Sequence, residues 1–229
     1  MHLSTLANLA ISTAVILLVP AQVSLSFAQG IPEAVLRKSP NEGGVRRWGI
    51  GTDVASIHAA PSAAADSVAT VSKGEILQNR GCSDKAGEVW CEVRSLRGNI
   101  RGYAQATQLT PARGPDGRVA VGMDDSRERA GRREFDAEAE IPCAQEQGQA
   151  LGTCDAAVSR GVGGDATVVV TFQNGFARKL YFVHGEFVKA SATMSGVGTD
   201  MDWRLESEVH VVRVVDQRFE LPDRFIFGD

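Results

Sequence analysis

The residues best placed to do chemistry are four cysteines in two close pairs, Cys82 with Cys91 and Cys143 with Cys154. Neither spacing is C-x-x-C, so zinc-ribbon and thioredoxin-like chemistry both lack their motif. An even number of cysteines behind an apolar leader reads instead as disulfides formed in an oxidising compartment. Four cysteines allow three connectivities, and the local one is expected, because it keeps each bridge inside one group of strands. On the chain-entropy account, closing loops this short stabilises each group by about 2–3 kcal/mol.

Carboxylates and histidines are the next candidates. One pentapeptide pattern occurs three times, as GIGTD at 49–53, GVGGD at 161–165 and GVGTD at 196–200. A G-x-G-x-D turn can offer carbonyls and a carboxylate to calcium, but a calcium roll needs such turns in tandem. These are scattered, so they read as loops whose glycines supply positive φ before a strand. There is no H-E-x-x-H, G-x-S-x-G or P-loop lysine in the chain, so the usual hydrolase signatures fail. His210 alternates with Val212 and Val214, which is the pattern of a packed strand residue, and His184 falls in a turn sequence. Asp200, Asp202 and Glu206 are close enough in sequence to form a carboxylate group, the one arrangement that would suit a small hydrolase. No catalytic residue, metal ligand or cofactor is assigned.

The elements that must position these residues begin after a leader. Residues 1–28 carry an apolar run from Ile11 to Val19, then Pro20 and the small-x-small pair Ser26 and Ala28, which predicts a signal peptide cut after Ala28. Retained, the stretch from Leu6 to Phe27 is just long enough to cross a bilayer of about 30 Å, so membrane contact is expected only if the leader stays. The remaining length, about 200 residues, allows one or two domains. With 24 Gly in 229 residues and no long helical period, the composition is that of a turn-rich β protein. The net charge of −4 arises from 24 basic and 28 acidic side chains. No basic run is dense enough to track a phosphate backbone, so no nucleic-acid partner is expected.

Between Val54 and Leu109 short apolar runs alternate with turn signals: VASIH, SVATV, EILQNRGC, EVWCEV and IRGYA. Five strands in so short a stretch predict a small barrel over residues 45–111. The same residues resemble the bacterial SH3-like (SH3b) domain. ASIHAAPS is similar to its first-strand motif, VATVSKGE to its glycine-turn segment, VWCEV to its tryptophan strand with Trp90, and RGYAQATQL to its ending with Gly102 and Tyr103. Where the family's first strand has Arg this chain has His58, and Ala60 stands for the usual Gly. The resemblance implies a non-catalytic module that binds peptidoglycan or an envelope protein, with Trp90, Tyr103 and His58 as the ligand-contacting candidates. Trp90 is weighed there against a plain packing role.

Residues 112–140 change character, with Gly, Pro and mixed charge that predict a solvated linker. From residue 141 to 229 the apolar runs resume, through ATVVVTF, FARKLYFV, EFVKAS, DWRLE, EVHVVRVV, RFEL and RFIF. Asn174-Gly175 predicts a type I′ hairpin and His184-Gly185 a second tight turn. The expected result is a second antiparallel meander, folded as a sandwich, roll or barrel. Its order of Cys143, Cys154, the ATVVVTF strand and the IFG ending is similar to a domain seen beside SH3-like modules in exported alphaproteobacterial proteins, a likeness that brings no activity with it. The whole chain therefore reads as an exported, periplasmic or secreted, all-β binding protein.

Overall fold

The computed structural model describes residues 31–192 and 200–228. The leader expected over 1–28, and positions 196–199 of the third pentapeptide, lie outside the described residues. The fold is all-β, built as two antiparallel sheets.

After a helical turn, α1 (Glu33–Leu36), the first sheet comprises β1 (Arg47–Ile50), β2 (Val54–His58), β3 (Ser67–Ser72), β4 (Ile76–Lys85), β5 (Glu88–Ser95), β6 (Arg101–Gln105) and β7 (Leu109–Pro111). The spatial order is β3-β2-β6-β5-β4-β1-β7. All seven strands send side chains into one core, from Trp48 and Ile57 through Val71, Leu77 and Val93 to Ala104 and Leu109, so the sheet is rolled around it. β1 and β7 are additions to the five expected strands. Gly49 and Ile50 of the first pentapeptide lie within β1, where Gly49 has ordinary extended backbone, so this pentapeptide is not a positive-φ loop.

The second sheet contains β8 (Ala137–Ala144), β9 (Gly152–Arg160), β10 (Ala166–Thr171), β11 (Ala177–Val183), β12 (Glu186–Ala190), β13 (Met201–Glu206), β14 (Val209–Val214) and β15 (Gln217–Pro222), in the order β12-β11-β10-β9-β8-β15-β14-β13. It curls until β11 faces β14, and Phe182 meets His210 edge-on at 5.3 Å. His184 and Gly185 both take positive φ, as the tight turn between β11 and β12 requires. At the other hairpin Gly175 alone does, and its N–H donates to the Phe172 carbonyl at 2.8 Å. That is a three-residue loop closed by a left-handed glycine rather than the expected type I′ turn. The terminal RFIF run is a helix, α3 (Asp223–Phe227), starting after Pro222 and burying Phe225 and Ile226. A short apolar run bounded by proline serves either structure, and packing decides.

Both disulfides join neighbouring strands, Cys82 to Cys91 across β4 and β5 and Cys143 to Cys154 across β8 and β9. Such bridges mark an oxidising, extracytoplasmic environment. Among the described residues no helix is long and apolar enough to cross a membrane.

The solvated linker expected over 112–140 is replaced by packed structure. Val45 bridges Val121, Arg113 bridges Val119, and Ala112, Ala120, Ser126 and Ala130 are buried. The helix α2 (Ser126–Gly131) lies on β9 and β10, and β8 already begins at Ala137. The physical reason is a set of close backbone approaches and buried ion pairs that composition does not reveal.

Candidate functional site

Two regions of the surface hold convergent polar side chains: the joint between the sheets and the outer face of β5 and β6. The joint is built on the GVGGD turn. Gly163 and Gly164 take positive φ, and a Cβ on Gly164 would stand 2.5 Å from Pro115 Cδ and 2.7 Å from the Gly185 nitrogen. Only glycine lets these backbones meet. The Gly163 N–H donates to Asp116 Oδ2 at 2.8 Å, tying the turn to the 112–125 segment.

Asp165 ends this turn and is buried. Arg46 Nη1 reaches its Oδ2 at 2.8 Å, and Arg47 Nη2 donates to Oδ1. Both guanidiniums also grip backbone carbonyls: Arg46 Nε donates to Gly122 at 2.8 Å, and Arg47 Nη1 to Gly163 at 3.3 Å. Burial pushes the neighbouring Asp124 carboxyl above its usual range and the Asp165 charge adds to this, against hydrogen bonds from Ser126 and the charge of Arg46. Arg46, Arg47, Asp124 and Asp165 line a cleft of ≈ 390 Å³ together with Asn41, Gln78, Arg80 and Arg127. Each aspartate of the three pentapeptides takes a cation from the chain itself. Asp53 has Lys73 at 3.5 Å, Asp165 has the two arginines, and Asp200 has Arg213 at 2.8 Å.

The structure brings the three ligand-contacting candidates together on the outer face of the barrel. Tyr103 stands opposite His58 on one side and Glu92 on the other, while Trp90 stands opposite Gln105. Tyr103 and His58 are half-buried, but Trp90 is 2 % exposed. Its indole lies 5.4 Å from the His58 ring, edge to face at 88°, and Nε1 donates to Glu88 Oε2 at 3.3 Å. His58 Nδ1–H donates to the Ala65 carbonyl at 2.9 Å, which fixes the ring over the tryptophan. Trp90 is therefore a packing residue, not an open platform. It turns away from Cys91 as strand alternation requires, yet the His58 ring helps to cover it.

The carboxylates that would suit a hydrolase lie on the exposed strand β13 and its entry. Asp200 is paired with Arg213, and Glu206 accepts from Arg204 at 2.5 Å. His210 is fully buried inside the second core. Trp203 Nε1–H donates to its Nδ1 at 3.0 Å; an indole can only donate, so that nitrogen carries no proton, and Nε2–H donates to Asp223 Oδ1 at 2.9 Å. Burial holds the His210 pKa below the ordinary imidazole range, outweighing the Asp223 hydrogen bond and charge. His184, beside Asp165, is lowered by burial first and by Arg47 second.

These two histidines give a pH prediction. The unfolded chain takes up protons near pH 6.5 and the folded chain does not, so stability falls as pH drops through that value, by up to about 1.4 kcal/mol per pH unit for each group. Urea unfolding between pH 7 and pH 5 should show this slope, and His210→Gln should remove about half of it. A wild type whose midpoint is unchanged over that range would mean that both rings protonate freely in the fold.

Fold and site together define an all-β, disulfide-stapled protein with two cores and a polar cleft at their joint. Comparison with protein-family models, with curated proteins and with solved structures gives no match. Sequence reasoning missed Arg46, Arg47 and Asp165 as a unit, since nothing local links residues more than a hundred positions apart. It also missed the outward arginines of β5 and β6, whose alternation with core residues was the available signal.

Proposed function

We propose that the chain is an exported, non-catalytic cell-envelope protein, periplasmic or secreted, whose first module is a bacterial SH3-like domain that binds peptidoglycan or an envelope protein partner. The observation that carries this reading is the rim formed by Tyr103 and His58. Two half-exposed rings stand side by side on one sheet face, and the buried Trp90 backs the His58 ring. A supported aromatic rim offers contact area at low entropic cost. The cross-strand disulfide between Cys82 and Cys91 joins β4 and β5 of the same sheet and suits work outside the cytoplasm.

Sedimentation with insoluble peptidoglycan tests it. Wild type should pellet with the polymer, and Tyr103→Ala should reduce the affinity at least about fivefold, as expected for loss of about 1 kcal/mol at a contact. Thermal unfolding of the variant should stay close to wild type, because Tyr103 is only half-buried. A wild type that remains in the supernatant would sink the cell-wall reading and leave the protein-partner reading, which capture of an envelope protein lost in Tyr103→Ala would support.

A further inference from the structure

Beyond the aromatic rim, the same sheet face runs into a group of cations that the fold leaves largely uncompensated. Arg94 of β5 stands directly opposite Arg101 of β6, a like-charge cross-strand pair that costs stability. Together with Arg80 of β4 they line a recess of ≈ 220 Å³ floored by Gly98. The Arg94 guanidinium lies against Gly98, where a Cβ would stand 2.7 Å from its Nε. Arg80 also opens onto the cleft at the joint, which Arg127 of α2 lines as well. Arg127 lies 4.4 Å from the centre of the Tyr181 ring and Lys189 5.6 Å from it. Lys189 is near enough to both Arg127 and Arg94 for their charges, after burial, to hold its ammonium below the ordinary lysine range.

Among the described residues Arg80, Arg94, Arg127 and Lys189 have no carboxylate within ion-pair distance. Arg101 has Glu92 at 2.7 Å, and Glu128 shares the larger cleft. With the Arg46, Arg47, Asp124 and Asp165 group of the same cleft included, seven cations face four carboxylates, in a chain whose net charge is −4. Such a local surplus is not a consequence of composition, and it runs from a recess on the barrel to the cleft at the joint, concave places where ligand sites commonly form.

We propose that this recess binds a ligand carrying two or more phosphate groups. Guanidinium forks donate parallel N–H bonds, and the forks of Arg80 and Arg94, with the Nη1 that Arg101 does not give to Glu92, can serve the several oxygens of a tetrahedral phosphate, whereas one carboxylate is satisfied by a single fork. Arg127 and Lys189 place a second positive centre across the joint for a second phosphate. A single-stranded nucleic acid would also need open aromatic faces for its bases. Tyr181 is already engaged by Arg127 and Lys189, and the half-exposed rings on this sheet face are those of the Tyr103 and His58 rim, so single-stranded DNA is carried as a competing probe in the test. The site is separate from the Tyr103 and His58 rim and does not rest on the cell-wall reading, so either can fail without the other.

Calorimetric titration of the purified protein with tripolyphosphate at low salt tests the proposal, with cardiolipin-containing vesicles as a second arm to separate a free ligand from a lipid headgroup. Saturable binding is expected, weakening as salt rises. Arg80→Ala and Arg94→Ala should each weaken it at least tenfold with unchanged thermal unfolding, since both side chains are exposed. Arg94→Lys should not restore it, because lysine offers a point charge without the fork. Arg213→Ala, which removes a guanidinium already held by Asp200 and lining neither the recess nor the cleft, should leave binding unchanged. Binding of vesicles but not tripolyphosphate, with the same arginine dependence, would assign the phosphates to a lipid. Absence of binding in both arms, equal binding by Arg94→Ala and wild type, or tighter arginine-dependent binding of single-stranded DNA than of either probe, would overturn the proposal.

Discussion

Asp165→Ala should destabilise the folded chain by about 3–5 kcal/mol, the cost of leaving buried cations without their counter-ion. The side chain is 3 % exposed, and the two guanidiniums it holds are 10 % and 6 % exposed, so water cannot take over its role. Its Oδ1 also accepts the His184 N–H at 3.2 Å, and that donor loses its partner as well. A domain of this size has about 5–15 kcal/mol to lose, so the variant should still fold while its urea midpoint drops steeply. Asp165→Asn, which keeps the shape and removes the charge, should fall between the two. Limited proteolysis supplies a second readout. In wild type the arginines between residues 113 and 133 should resist cleavage, because their backbone is bridged to the barrel and to the second sheet, and in Asp165→Ala they should become the first sites cut. A midpoint within 1 kcal/mol of wild type would show that the ion pairs merely decorate a joint held by the glycine contacts.

That joint marks the boundary between what local pattern can and cannot convey. Five of the barrel strands, the antiparallel meander and the tight turn at His184-Gly185 follow from apolar alternation and turn chemistry, which act over a few residues. So does the pairing of each cysteine with its sequence neighbour, since strands joined by a short loop lie side by side. The segment 112–136 was opaque for a different reason. Its polar and glycine-rich composition is normally a sign of solvation, and only long-range partners turn it into packed structure. Arg46 and Arg47 find Asp165 across nearly 120 positions, and Gly163 finds Asp116 across 47. β1 was hidden similarly, as its Arg47-Trp48-Gly49-Ile50 run contains a glycine that looks like loop and an arginine that is buried only because of Asp165.

The same distinction bears on the aromatic rim and on Trp90. Alternation from Cys91 assigns Trp90 to the outer face, but whether an outer-face side chain is open or covered depends on what folds over it. Here the His58 ring does so from β2, which contacts this part of the sheet through Tyr103 on β6. Trp90→Ala should therefore act through stability and not through ligand contact, at a cost of about 3–5 kcal/mol for truncating a buried tryptophan. His58 would lose its edge-to-face partner and Glu88 the indole donor. The result expected in urea unfolding is a large drop in the midpoint of the barrel, with Tyr103→Ala close to wild type. Trp90→Phe should recover part of the loss, because most of the ring volume returns while the hydrogen bond to Glu88 does not. The contrast between the two aromatics carries the argument. If Trp90→Ala left the midpoint in place while abolishing sedimentation with peptidoglycan, the indole would have to be reachable by ligand, and the covered arrangement of Trp90 beneath His58 would be wrong.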